Sequence, residues 1–364
     1  MLLVTCTRGL EDITERELKE LGMKVRERFF GKVLVEGWVE EAVLLNFAAR
    51  TINRVFLLLY NGTAETLDQI YRKAREIEWE EFITENMSFG VEAKRVGKHS
   101  FSSPDIASEV GRAVIERVQE KAGFRPRVFL RDPDLKVYAE LNRKRLFIGI
   151  DTSGESLHMR RYRVYQHPAP IQPTLASALL LLAGKPEKLL DPFCGSGTIV
   201  IEAARMLRNI PQSRSFAFQR IPLFSGILEE MKRRWKTSGE RYELRGFDLC
   251  EKHVRGAVKN AKNAGVGDTV SFWVGDACKK ESYPEEIGTV VTNPPYGLRI
   301  ASKKFIEKIY EKFTRTLADL GFERLVLITG EPYFLRAAEK AGLQLTEKRS
   351  VIYGSLPALV LVYS

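Results

Sequence analysis

The chain has 364 residues, 44% hydrophobic and 29% charged, enough for two or three ordinary cores. That excludes a disulfide-stapled miniprotein, a collagen-like fibre and a disordered tail. The formal charge of +10 is uneven: residues 1–89 carry net −4, residues 90–167 +6 and residues 168–364 +8, so a polyanion footprint is expected beyond residue 89.

The first residues, MLLVTCTRGLED, turn polar too soon for a signal peptide. A short strand is expected there, then a helix carrying Ile13, Leu18 and Leu21, then the strand Lys32–Val35. A second α+β unit follows from residue 61. Ala64, Leu67, Ile70, Tyr71, Ala74 and Ile77 recur at helical spacing. Another helix opens at Ser103-Pro104, buries Ile106, Val110, Val114 and Val118, and stops at Gly123. The strands Arg127–Arg131, Lys136–Leu141 and Leu146–Ile150 complete the unit.

His167-Pro168-Ala169-Pro170-Ile171-Gln172-Pro173 resists both helix and central strand and reads as a stiff linker. Beyond it, apolar strands alternate with amphipathic helices. Helices are expected near 174–183, from Thr198, at 251–264 and at 303–319. Strands should end at Asp191, Asp248, Asp276 and Asn293, with others near 324–329, 345–352 and 358–363. This α/β alternation specifies a largely parallel sheet covered on both faces. The divisions are residues 1–60, 61–163, a linker at 164–174, and 175–364.

The longest apolar run, Leu175–Ala183, is about half of the roughly 20 residues that a bilayer span needs. Cys6, Cys194, Cys250 and Cys278 are far apart and suggest reduced thiols rather than a disulfide framework or zinc site. The four histidines add no ligand cluster. A soluble, cytoplasmic, metal-independent protein is expected.

The strongest chemical signal is Leu189-Leu190-Asp191-Pro192-Phe193-Cys194-Gly195-Ser196-Gly197-Thr198. An apolar strand enters a glycine turn that opens a helix, so Gly195 and Gly197 let backbone approach a ligand closely. No Lys-Ser/Thr follows the second glycine, which argues against a phosphate-binding P-loop. The preceding acid suits a cationic ligand group. Asp248, Asp276 and Asn293 stand at later strand ends, where open α/β sheets bind ligands. A single acid there is more often a solvated loop residue, but four such sites in succession argue for a binding cleft. In Asn293-Pro294-Pro295-Tyr296, the Asn293 oxygen and the Pro294 carbonyl can accept from an amine, and Tyr296 can stack on an extruded base. A Pro-Pro turn that merely rigidifies a strand end is the plainer alternative.

Asp191 and Asp248 lie 57 residues apart, which requires an insertion near Arg208–Arg241. Its basic residues are interleaved with Phe216, Phe218, Phe224 and Trp235. Phosphate contact with base stacking, or a solvated helix whose aromatics dock on the sheet, fits the pattern equally well.

D-P-F-C-G-S-G-T followed by N-P-P-Y resembles the S-adenosylmethionine-dependent amino-methyltransferases. The resemblance implies a Rossmann-like seven-stranded sheet. It implies Asp191 near the methionine ammonium, Gly195, Ser196, Gly197 and Thr198 along the cofactor, Asp248 on the ribose hydroxyls, and Asp276 and Ala277 around the adenine. Pro173, Thr174, Cys194, Leu249 and Asn293 join the expected cofactor contacts. The expected catalytic loop is Asn293, Pro294, Pro295 and Tyr296, with no metal.

Trp79-Glu80-Glu81-Phe82-Ile83, Arg131-Asp132-Pro133-Asp134 and Ser156–Arg163 are similar to a THUMP domain joined to a methyltransferase, and the first 60 residues to the ferredoxin-like module before it. Arg161 stands where many relatives have Gly, which makes the linker more basic. The whole chain is similar to the archaeal enzymes that form N2-methylguanosine at position 6 of tRNA. That implies a tRNA partner gripped at the acceptor stem and 3′ end, most simply by a monomer. Arg125, Arg127, Arg143, Lys144, Arg145, Arg160, Arg161 and Arg163 are candidate phosphate contacts. The alternatives are methylation of guanine 10 in tRNA, of an rRNA guanine or of DNA adenine, and an inactive RNA-binding module.

Overall fold

A computed structural model describes residues 1–296, 303–354 and 356–364. The first part runs β1 (Leu2–Cys6), α1 (Glu11–Glu20), β2 (Val25–Phe29), β3 (Lys32–Val35), α2 (Val39–Ala48) and β4 (Ile52–Thr63). It continues through α3 (Leu67–Arg75), β5 (Ser88–Val96), α4 (Ser103–Ala122), β6 (Arg127–Val128), β7 (Leu135–Asn142) and β8 (Arg145–Asp151). These strands form one sheet in the order β2-β3-β1-β4-β8-β7-β5-β6. Residue 61 lies inside β4. The first half of that strand pairs with β1 and the second half with β8, so the two α+β units share a sheet.

Local chemistry sets the helix ends. The α4 cap is Ser102, one residue before the expected position. Its hydroxyl accepts from Asp105 N–H while the Asp105 carboxylate accepts from Ser102 N–H, a reciprocal box. Gly123, at φ +79°, ends the helix in the left-handed region. Strands β2 and β5 and helix α2 carry too little periodicity to stand out in the sequence; tertiary packing makes them.

The second part begins with α5 (Pro173–Leu182), β9 (Lys188–Asp191), α6 (Thr198–Leu207), α7 (Ile227–Arg234), β10 (Glu243–Asp248), α8 (Glu251–Asn263) and β11 (Val270–Val274). It ends with β12 (Thr289–Thr292), α9 (Lys303–Leu320), β13 (Arg324–Thr329), α10 (Tyr333–Lys340), β14 (Leu345–Tyr353) and β15 (Leu356–Tyr363). The seven-stranded order is β11-β10-β9-β12-β13-β15-β14, with β15 alone running antiparallel to the other six strands. Helices cover both faces, giving the Rossmann-like α/β architecture.

The insertion between α6 and β10 docks on the first sheet rather than waiting for bases. Phe216, Phe218 and Phe224 are buried in the first domain's core and stack in succession, with centroids 5.2 and 5.5 Å apart. Trp235 meets Phe47 edge-on at 5.3 Å, and Arg220 pairs with Asp132 at 2.9 Å. Apolar burial in that core leaves the three phenylalanine rings no free face.

A second correction concerns Arg160. It is buried, not a phosphate contact: its guanidinium pairs with Glu202 at 3.3 Å and donates to the Arg50 carbonyl at 3.1 Å. Tyr162 and Ser177 also donate to Glu202, at 2.8 and 3.2 Å. Burial alone would raise the Glu202 pKa, but Arg160, Arg205 and Arg50 outweigh it and hold the carboxyl below its usual range. Arg50 in turn donates to the Arg205 and Ile210 carbonyls, each at 2.9 Å. Glu202→Gln leaves these guanidinium groups without a countercharge, and a loss of about 3–5 kcal/mol is expected by urea denaturation. An unchanged midpoint and slope would show that the pair does not hold the domains together.

Candidate active site

The second sheet reverses its strand order beside β9. The chain runs outward through β10 to β11 and then returns to β12 on the other side of β9. Ligands of open α/β sheets bind in the crevice that such a reversal opens. Thr292 Oγ1 spans the reversal here, donating to Asp191 Oδ1 at 2.7 Å.

Each of the three strand-end aspartates accepts the amide two residues on: Phe193 N–H to Asp191 at 3.2 Å, Cys250 N–H to Asp248 at 2.9 Å and Cys278 N–H to Asp276 at 2.9 Å. The side chain mimics a backbone turn and fixes its own carboxylate. β11 stops at Val274, so Asp276 lies two residues past the strand rather than on its last position. Asp248 Oδ2 also accepts from Gly195 N–H at 3.0 Å, which ties the glycine turn to the second strand.

A cleft of about 650 Å³ opens over these strand ends. Asp248, Leu249, Asp276, Ala277, Asn293, Pro294, Pro295 and Tyr296 line it, with Pro192 and Phe193 from the glycine loop. The structure therefore gathers the last three expected segments around one space. Asp191, Cys194, Ser196 and Thr198 are buried beneath it. Gly197 faces away, and a Cβ there would press on Ala257 and Phe272 at 2.9 Å, so this glycine serves helix-on-sheet packing. Pro173 and Thr174 begin α5; Thr174 is fully buried and donates to Asn53 Oδ1 at 2.9 Å, across the domain boundary. Burial pushes the Cys194 thiol well up, which suits an inert side chain.

The Asn293–Tyr296 loop is held from behind. Tyr310 O–H lies 2.9 Å from the Pro295 carbonyl and 3.0 Å from Thr329 Oγ1. The Tyr296 ring lies on Gly330, where a Cβ would meet Cδ2 at 3.0 Å, and burial lifts its phenol to about 12. Among the described residues, Asn293 Oδ1 is buried without a hydrogen-bond partner. An orphan acceptor costs about 1–3 kcal/mol, so a donor from a ligand would relieve it.

Other wall residues were invisible as a set in the sequence. His167 and His253, 86 positions apart, approach to 4.2 Å between centroids, and Tyr165 O–H meets His253 Nδ1 at 2.6 Å. His167 comes from the linker and lies against Gly195. Phe305, Lys308, Ile309 and Lys312 of α9 and Tyr353 of β14 complete the wall. No local motif marks them.

The family profile described as the RMKL-like methyltransferase domain matches residues 160–357, the THUMP domain profile matches 64–151, and the RlmL ferredoxin-like profile matches 1–56. The chain belongs to the THUMP-bearing RMKL-like methyltransferases. It is 40% identical to the tRNA (guanine(6)-N2)-methyltransferase of Archaeoglobus fulgidus, over 99% of this chain and 91% of that protein. It is 38% identical to the protein of the same name from Methanocaldococcus jannaschii, over 97% of each. Among solved structures, SMU.472, crystallised as a complex with SAH, superposes with a TM-score of 0.87 at 26% identity, over 100% of this chain and 97% of that one.

Beneath the cleft of the methyltransferase, burial shifts the titration of Asp191. Burial lifts the Asp191 carboxyl from 3.8 to about 7, against the hydrogen bonds from Thr292 and Phe193. The folded chain thus binds this proton more tightly than the unfolded chain does. The stability gained is complete below 3.8 and is lost as the pH rises through about 7. Thermal melts of the enzyme without ligand should show Asp191→Asn gaining on the wild type across that window. A pH-independent difference between the two would contradict the assignment.

Proposed function

We propose that this enzyme transfers a methyl group from S-adenosylmethionine to the exocyclic N2 amine of a guanine in the tRNA acceptor stem, with position 6 favoured. The observation that carries the reading is the unpaired Asn293 Oδ1 in the wall of a cleft that also presents two fixed carboxylates. The names of the archaeal relatives supply the base and the position.

The donor set fits the cofactor. A ribose diol offers two O–H donors to the Asp248 carboxylate, and an adenine amine offers N–H to an acceptor such as Asp276. Leu249, Ala277, Pro192 and Phe193 supply apolar surface for a flat base. Asp191, beneath the cleft, is the carboxylate assigned to the methionine ammonium. When bound, S-adenosylmethionine supplies an electrophilic methyl group.

The chain's own part is orientation. Asn293 Oδ1 and the Pro294 carbonyl accept the two N–H bonds of the guanine amine and aim its nitrogen lone pair. Tyr296 stacks on the base once it leaves the helix, where pairing with cytosine would occupy one N–H of the amine. Tyr310 keeps this loop still, which matters because orientation supplies most of the help. The THUMP domain takes the acceptor stem and 3′ end, and the enzyme acts as a monomer. Among the described residues no helix is long and apolar enough to cross a membrane.

The test is transfer of labelled methyl to an unmodified tRNA transcript, followed by digestion and mass-spectrometric mapping. N2-methylguanosine at position 6 is expected. Label at another nucleotide would overturn the position, and no label with cofactor bound would overturn the substrate. Asn293→Ala should lower kcat by about 100-fold, the usual cost of one preorganised polar contact, while calorimetry finds cofactor affinity unchanged.

A further inference from the structure

Helix α9 packs through Ile306, Tyr310, Phe313 and Leu317, all buried, and its rotation is pinned by two contacts with the site. Tyr310 bonds the Pro295 carbonyl, and Phe313 meets Phe193 edge-on at 5.0 Å. Helical geometry then fixes what the remaining edges present. One edge enters the cleft and carries Phe305, Lys308, Ile309 and Lys312. The opposite edge carries Glu307 and Glu311 toward α10, where Glu311 pairs with Lys340 at 2.8 Å.

Glu311 is thus taken up by α10, while two cations of the same helix line the cleft together with the Asn293–Tyr296 loop. Among the described residues, neither Lys308 nor Lys312 forms an ion pair. Phe305 is 57% exposed beside them, a large apolar ring left in solvent at the mouth of the site. Lys308 and Lys312 stand one turn apart, about 6 Å along the axis, close to the spacing of consecutive phosphates on an extended strand. Cations without partners beside an exposed ring are what a single strand carrying an extruded base requires.

Resting on the RNA-methylation reading above, we propose that the cleft edge of α9 is the binding site for the strand that carries the target nucleotide. Lys308 and Lys312 hold the phosphates on either side of it, and Phe305 stacks on a base at the mouth of the cleft, across from Tyr296. Base extrusion leaves those phosphates without the regular duplex path, and the two ammonium groups fix them where the amine can reach Asn293. The contact is independent of sequence, so it supports catalysis at whichever guanine the rest of the protein selects.

The double variant Lys308→Ala/Lys312→Ala tests this with full-length enzyme and unmodified tRNA transcript. Its KM for tRNA should rise at least 10-fold with cofactor affinity unchanged. The slope of log affinity against log salt should fall by about 1.4 to 1.8, the release expected for two phosphate contacts. Phe305→Ala should lower tRNA affinity by about 10-fold, as the loss of one stacked base does, and the emission of Phe305→Trp should be quenched when tRNA binds. Wild-type kinetics and salt slope in the double variant would overturn the proposal, as would a loss of cofactor affinity, which would assign the lysines to the cofactor. Wild-type enzyme that methylates no tRNA would instead remove the reading beneath it.

Discussion

The Glu202 carboxylate, fully buried, joins parts of the chain that the sequence keeps apart. Arg160 and Tyr162 reach it from the segment that follows the first sheet, and Ser177 reaches it from α5. Glu202 itself stands on α6, the helix that opens from the glycine turn. Desolvating a carboxylate and the guanidinium groups around it costs several kcal/mol per ion, which only close pairing and added hydrogen bonds offset. Once formed, the cluster cannot be pulled apart cheaply, so the first sheet and the cleft keep a fixed relation. The docked insertion and the Thr174–Asn53 hydrogen bond strengthen the same junction.

That rigidity gives the cleft its chemistry. Three aspartates make the same two-residue turn at three neighbouring strand ends, yet their surroundings separate them. Asp191 is sealed under the loop, where burial lifts its carboxyl to about 7, while Asp248 and Asp276 line the cleft. Asn293 adds an acceptor that no protein donor satisfies among the described residues. Apolar walls lower the local dielectric, so each of these polar groups acts more strongly on a ligand than it would in water. The linker takes part as well: His167 lies over Gly195, and Tyr353 donates to the Pro170 carbonyl at 2.8 Å. The connector between domains is thus also a wall of the site.

The outer surface divides its charge by packing. α9 turns its apolar stripe inward against Phe193 and the Asn293–Tyr296 loop, and the rest of its sequence then has no choice about which residues meet the cleft. Glu311 pairs with Lys340 of α10, and Lys308 and Lys312 line the cleft. In the insertion the same principle works against exposure, because its phenylalanines are absorbed by the neighbouring domain.

The sequence by itself determined the alternating second half, the glycine turn after Asp191 and the strand ends at Asp248 and Asn293. These rest on local effects: apolar periodicity, glycine conformational freedom and the i to i+2 hydrogen bond of aspartate. It also carried the family resemblance through contiguous motifs. Only the tertiary structure decided that β4 joins two α+β units into one sheet, because pairing along both edges of a strand leaves no mark in its own residues. Burial decided that Arg160 is an ion-pair partner and that Phe216, Phe218 and Phe224 are core, since a basic or aromatic residue reads alike in solvent and inside. The meeting of His167 with His253, and the sharing of one cleft by Lys308 and the Asn293–Tyr296 loop, joins positions too far apart in the chain for any local rule. Those contacts arise from how helices and linker pack on the sheet, a long-range property that short-range pattern does not encode.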